Sequence, residues 1–176
     1  MGFQCFPTIE AGWVEGEKVA SDRPKKDHAD VIIPPPVIHI VSIGLGGVIS
    51  NYYSMSLPHW SILQWIGVLL GVTAIAITLW GMREFHASRN PVAPIRPVNR
   101  LMVSGPYRFT RNPLYLSLIL LQLGLALVFL NGWMVLLLLP VVVIVRYYVV
   151  AREEAYLLRR FGSDYQAYQE RVRRWI

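Results

Sequence analysis

Two short stretches hold the residue types that chemistry requires. The first is Ser104-Gly105-Pro106-Tyr107-Arg108-Phe109-Thr110-Arg111-Asn112-Pro113-Leu114-Tyr115. Gly-Pro-Tyr is a turn signal, and Asn112-Pro113 reads as a helix N-cap followed by proline at the first helical position. A helix starting there presents unpaired N–H groups and the positive end of its dipole beside Arg111, which favours an anion. Tyr107 and Tyr115 add aromatic faces with polar tips. The second stretch is Arg152-Glu153-Glu154. Its carboxylates could bind a polar ligand, or they could simply pair with an arginine such as Arg111 or Arg159. The simpler alternative for the first stretch is a basic linker that touches lipid headgroups.

The elements that must position these residues are apolar. Hydrophobic residues make up 54% of the 176-residue chain and charged residues only 16%, with a mean hydropathy of +0.40. Neither Val31 to Met82 nor Asn112 to Val145 contains an Asp, Glu, Lys or Arg. A soluble domain, a disordered chain and a secreted disulfide scaffold all conflict with that distribution. Each block is long enough for two membrane spans. The first is punctuated at Asn51 to Trp60 and the second at Asn131-Gly132-Trp133. The expected spans are 37–57, 61–82, 114–130 and 132–150, in an all-α, polytopic membrane protein with a C-terminal amphipathic helix. Residues 1–33 are expected to be a polar tail, and 34–176 the membrane domain. Four of the 17 basic residues precede span one, six lie between spans two and three, and the other seven run from Arg146, near the end of span four, to Arg174. The positive-inside rule then makes both termini cytoplasmic, in the inner membrane if the source is prokaryotic. Topology and anionic lipid account for the net charge of +6, so no nucleic-acid partner is implied.

Other signals have structural readings. Gly67-x-x-x-Gly71 suits close helix packing. Gly44-Leu45-Gly46-Gly47 has Ile49 where a dinucleotide loop needs its last glycine, and no strand precedes it. His28, His39, His59 and His86 lack metal-ligand spacing, and Cys5 has no partner for an internal disulfide. Phe161, Tyr165, Tyr168, Val172 and Trp175 fall on one helical face, which predicts a helix that lies on the membrane or caps a site.

Taken in order, Leu101-x-Val103-x-Gly105-Pro106-Tyr107, Arg111-Asn112-Pro113-x-Tyr115, Glu153-Glu154-x-x-Leu157, Phe161-Gly162, Tyr165-x-x-Tyr168 and Val172-x-Arg174-Trp175-Ile176 resemble the isoprenylcysteine carboxyl methyltransferase and phospholipid methyltransferase superfamily. The resemblance covers residues 85–176. It implies an integral membrane enzyme that uses S-adenosylmethionine and no metal, with its cofactor at the cytoplasmic mouth of spans three and four. By that resemblance Arg100, Leu101, Met102, Tyr107, Arg111, Asn112, Pro113, Tyr115 and Glu153 hold the cofactor. Glu153, Glu154, Arg111 and Asn112 form the catalytic set. The prenylcysteine branch has histidine where this chain has Asn112, which can hydrogen-bond but cannot take a proton. That departure weakens a direct transfer of the prenylcysteine reaction. Membrane embedding points to a lipid-like or apolar small acceptor, with a prenylcysteine carboxylate and a phospholipid amine as the two types. A membrane reductase related to the sterol reductases, using NADPH, and a non-catalytic membrane scaffold are the competing readings.

Overall fold

The computed structural model describes residues 13–15, 31–88 and 100–175. The N-terminal basic residues, Cys5, His28, Arg89, Arg96 and Ile176 lie outside the described residues. The described chain is mostly helical. Helix α1 spans Pro35–Tyr52, α2 Ser61–Ser88, α3 Pro113–Val128, α4 Gly132–Phe161 and α5 Ser163–Arg171. A short antiparallel pair joins β1, Trp13–Glu15, to β2, Arg100–Met102. A single 3-10 turn follows at Gly105–Arg108.

Helices α2 and α4 have the length and composition to cross a membrane, and α3 is apolar but shorter. Their outer faces carry Trp65, Leu69, Val72 and Leu139, each at least 60% exposed. In water that surface would be unstable, and in lipid it is ordinary. Helix α2 packs along α3, while α1 lies chiefly against α4.

The helix ends differ from the expected spans for local reasons. Proline is tolerated in a first turn, where its missing N–H has no intrahelical partner. Pro35 and Pro36 therefore begin α1, two residues ahead of the expected start at 37. Helix α2 runs on through Arg83, Glu84 and Phe85 to Ser88. Helix α4 does not stop at Val150. It passes through π-helical turns at Val145–Val150 and continues to Phe161. Gly162, at φ +51°, ends it. The C-terminal face also departs from a single helix. Helix α5 ends at Arg171, and Val172 is extended. Phe161, Tyr165, Tyr168 and Val172 turn inward onto Leu101 and Val103. Trp175 packs separately, near Val141, Val145 and Val150. The connecting loop thus supplies the apolar partner that lipid would otherwise provide.

The turns 53–60 and 129–131 meet at one end of the bundle. Leu57 N–H donates to the Leu130 carbonyl at 2.8 Å, Gly132 N–H to Met55 at 2.7 Å, and Trp133 Nε1 to Tyr53 at 2.6 Å. Asn131 Oδ1 caps α4 by accepting from Met134 N–H at 3.1 Å.

Helices α2 and α3 touch through glycine. A Cβ on Gly67 would stand 2.7 Å from the Gly124 carbonyl oxygen, whereas one on Gly71 would meet nothing within 4 Å. Gly67→Ala should therefore destabilise by about 1–3 kcal/mol through overpacking, and Gly71→Ala should be neutral or slightly stabilising. Thermal unfolding in detergent checks both. Equal midpoints for the two variants would refute the contact.

Candidate functional site

The ends of the bundle opposite those turns surround a cavity of about 330 Å³, at the lower end of the range for ligand pockets. Five elements build it. The segment leading into α1 and its first turn contribute Val31 and the Pro34-Pro35-Pro36 run, and α2 contributes Phe85. The 3-10 turn contributes Tyr107, the start of α3 contributes Arg111 to Tyr115 with Leu118, and α4 contributes Glu153.

Local chemistry fixes each wall. Gly105, at φ +58°, lets the turn close over Glu84, and Ser104 Oγ donates to Glu84 Oε2 at 2.8 Å. Tyr107 then sits edge-on to Phe85, with centroids 6.1 Å apart, while its carbonyl accepts from Tyr168 Oη at 2.7 Å. Burial, reinforced by the charge of Glu153, pushes the Tyr107 hydroxyl well above its usual range, so it stays a neutral donor. Tyr115 Oη donates to Glu153 Oε2 at 2.7 Å.

Glu153 and Glu154 are neighbours but face different partners, because successive helical residues point about 100° apart. A π turn carries one extra residue, so it rotates everything after it by about the same angle. The turns at Val145–Val150 therefore set which carboxylate reaches the cavity. Glu154 is turned toward Arg111, 3.3 Å away, and Arg174. Arg174 donates from Nε at 3.0 Å and from Nη2 at 2.6 Å, one to each oxygen. Backbone bonds complete the join. Arg111 N–H donates to the Arg173 carbonyl at 3.0 Å. Thr110 Oγ1 and Asn112 Nδ2 donate to the Arg174 carbonyl at 3.1 and 3.0 Å. Asn112 occupies the N-cap position of α3, but its side chain makes no cap bond. Its amide serves the C-terminal segment instead. Burial pushes the Tyr165 hydroxyl up to about 12, with Glu154 adding to the shift and the Arg111 guanidinium beside it opposing.

Among the residues singled out from sequence, Tyr107, Arg111, Asn112, Pro113, Tyr115 and Glu153 line the cavity together. Arg100, Leu101 and Met102 do not. They form β2, and Leu101 packs against Phe161, Tyr165 and Tyr168. Glu154 is likewise off the wall. Sequence reasoning missed Val31, the proline run, Phe85 and Leu118 as wall residues. Only the abrupt start of the charge-free block beside three prolines hinted at the first two.

Arg111 is 12% exposed at its side chain. Its Nε and Nη1 have no hydrogen-bond partner among the described residues, although Nη1 is in ion-pair range of Glu154. A buried donor on a cavity wall suits an anionic group. Glu153 with Tyr115 suits a cation or hydroxyls, and Tyr107 with Phe85 suits a flat ring or a sulfonium. The donor set thus fits an amino-acid-bearing sulfonium nucleoside.

A family model described as phospholipid methyltransferase matches residues 62–164, more than half of the chain. The match runs from α2 into α5 and takes in Tyr107, Arg111, Asn112, Tyr115 and both glutamates. Helix α1 and Arg174 lie outside it. The chain is also similar to an uncharacterized protein of Haemophilus influenzae, 36% identical over 63 residues, which are 36% of this chain and the whole of that protein. No solved structure matches.

The two glutamates should separate in a stability assay. Glu154→Gln leaves two guanidiniums short of a counter-charge, one of them buried, and should cost a few kcal/mol. Glu153→Gln keeps an acceptor for Tyr115 and should cost under about 1 kcal/mol. Denaturation midpoints in one detergent check the order, and a reversed order would refute the assignment of partners.

Proposed function

This chain belongs to the phospholipid methyltransferase family, and we propose on that footing that it is an integral membrane enzyme that uses S-adenosylmethionine to methylate a lipid-like or apolar small acceptor. The observation that carries the reading is the cavity wall, where a buried guanidinium with hydrogen-bonding capacity left over, a carboxylate and three aromatic rings converge. When bound, S-adenosylmethionine supplies an electrophilic methyl group on a sulfonium.

The chain's own residues bind, orient and exclude water. Arg111 would hold the carboxylate of the methionine part, fixed in place by Glu154 and by the backbone bond to Arg173. Glu153, steadied by Tyr115, would face the ammonium or the ribose hydroxyls. Tyr107 and Phe85 would pack the flat or cationic parts. Val31, the prolines and Leu118 keep the remaining wall apolar, which strengthens those few polar contacts. Methyl transfer from a sulfonium needs alignment more than a strong base, and orientation alone supplies up to about 7–11 kcal/mol. The catalytic set proposed from the resemblance divides accordingly: Glu153 and Arg111 meet ligand, while Glu154 and Asn112 act as positioning residues.

Four spans with both termini cytoplasmic are part of the same proposal. The turns 53–60 and 129–131 carry no basic residue, and the cavity end carries Arg83, Arg100, Arg108, Arg111 and Arg152. An acceptor with an apolar tail would reach the cavity sideways from the bilayer.

Two measurements test this. Purified protein should be stabilised by S-adenosylmethionine and not by NADPH, by about 2.7 kcal/mol at 100 times the dissociation constant. Glu153→Gln should weaken that binding about 10- to 150-fold with little loss of fold. Stabilisation by NADPH alone would favour the reductase reading, and wild-type binding by Glu153→Gln would refute the site. For topology, a cysteine at exposed Ser56, in a Cys5→Ser background, should label from outside intact cells. One at exposed Ser163 should label only after permeabilisation, and the opposite pattern would invert the orientation.

A further inference from the structure

A polar chain deep in the bundle has no part in the reading above. His39 Nδ1 lies 2.7 Å from Gln122 Oε1. Gln122 Nε2 lies 2.9 Å from Ser42 Oγ and 3.4 Å from the Met134 carbonyl oxygen. Ser42 Oγ lies 3.5 Å from the Leu137 carbonyl oxygen. His39, Ser42 and Gln122 are all buried, Gln122 completely.

The directions of these bonds follow from the partners. A carbonyl cannot donate, so the Met134 oxygen must face the Gln122 NH2 group rather than its oxygen. Ser42 donates to Leu137 and so accepts from Gln122. The Gln122 oxygen is left facing His39, and Nδ1 must carry the hydrogen. In a neutral imidazole Nε2 is then a bare lone pair. A second proton there would put an unpaired cation among apolar side chains. Nε2 is buried and has no hydrogen-bond partner among the described residues.

His39 and Gln122 are not on the cavity wall but stand one helical turn behind residues that are. His39 is four residues on from Pro35, and Gln122 is four on from Leu118. Pro35 and Leu118 both line the cavity. Residues four apart lie one above the other on a helix face. The pair therefore sits one turn deeper, about 5.4 Å further into the bundle, on both flanking helices.

We propose that His39 Nε2 is a deep subsite of this cavity that accepts a hydrogen bond from the methyl acceptor, an apolar or lipid-like molecule whose head carries N–H, O–H or S–H. Gln122 and Ser42 act as positioning residues that hold the imidazole in the tautomer with Nε2 free. A carboxylate head, with no hydrogen to donate, gains nothing from this subsite. The subsite rests on the methyltransferase reading for its role, but not for its existence.

The test uses full-length protein, 15N-labelled at histidine, in phosphatidylcholine nanodiscs, with His39 assigned by loss of its signal in His39→Asn. Nε2 should resonate as an unprotonated nitrogen and shift when a long-chain amine, alcohol or thiol is added. Dodecane and laurate should not move it. In methyl transfer to those acceptors, His39→Asn can keep the bond to Gln122 but lacks the Nε2 position. It should raise KM about tenfold and leave stabilisation by S-adenosylmethionine unchanged. His39→Gln, whose amide oxygen can reach the Nε2 position, should recover most of the loss. A protonated Nε2 in ligand-free protein, a signal that none of the amphiphiles moves, or wild-type KM in His39→Asn would overturn the subsite. A signal that moves in a protein that transfers no methyl group would leave the subsite standing and refute the methyltransferase reading instead.

Discussion

Glu154 carries two guanidiniums on one carboxylate, and the cavity end of the molecule depends on that arrangement. One partner, Arg111, stands at the threshold of α3, and the other, Arg174, lies in the last few residues of the chain. A carboxylate that is 10% exposed is costly to bury alone and repays the cost only when its oxygens are fully engaged. Here both oxygens are engaged. The same join aligns the backbone of 110–112 with that of 173–174, so the C-terminal segment is held as an extended strap. With the strap in place, Arg111 is held at the cavity wall.

Lipid as solvent explains where the polar groups are and are not. In hydrocarbon each polar side chain must find a partner inside the protein. Thr73 and Thr78 bond back to the carbonyls one turn earlier, and Gln122 uses three neighbours. Charges gather at one end, where water and headgroups are within reach. The cavity lies at that end, with Arg111 and Glu153 set among largely apolar walls. That division would suit a reaction between a charged, water-borne cofactor and a lipid-borne acceptor.

Much of this was legible in the sequence where the signal is local. The charge-free blocks gave the helices, Asn112-Pro113 marked the start of α3, and Asn131-Gly132 marked the start of α4. Tyr107, Arg111, Tyr115 and Glu153, which stand out in the sequence as two separate motifs, line one cavity. What escaped depends on contacts between distant parts of the chain. Arg174 and Glu154 are twenty residues apart, and His39 and Gln122 eighty-three. No periodicity encodes such pairs. The division of labour between Glu153 and Glu154 was hidden for another reason. It depends on one extra residue in a π turn, and valine-rich sequence reads the same whether a helix is α or π. The C-terminal aromatic face was seen, but hydropathy alone could not tell a lipid partner from Leu101.

The pairing of α1 with α4 bears on how the molecule is assembled. Helices are made in order, and α2 packs on the next helix made, α3, through the glycine contact. Helix α1 has no such early neighbour. It carries His39 and Ser42, and their partners Gln122 on α3 and Leu137 on α4 are made only afterwards. Helix α1 is thus made before α2 and α3 but seated after them, and the cavity end closes only when Arg173 and Arg174 have been made.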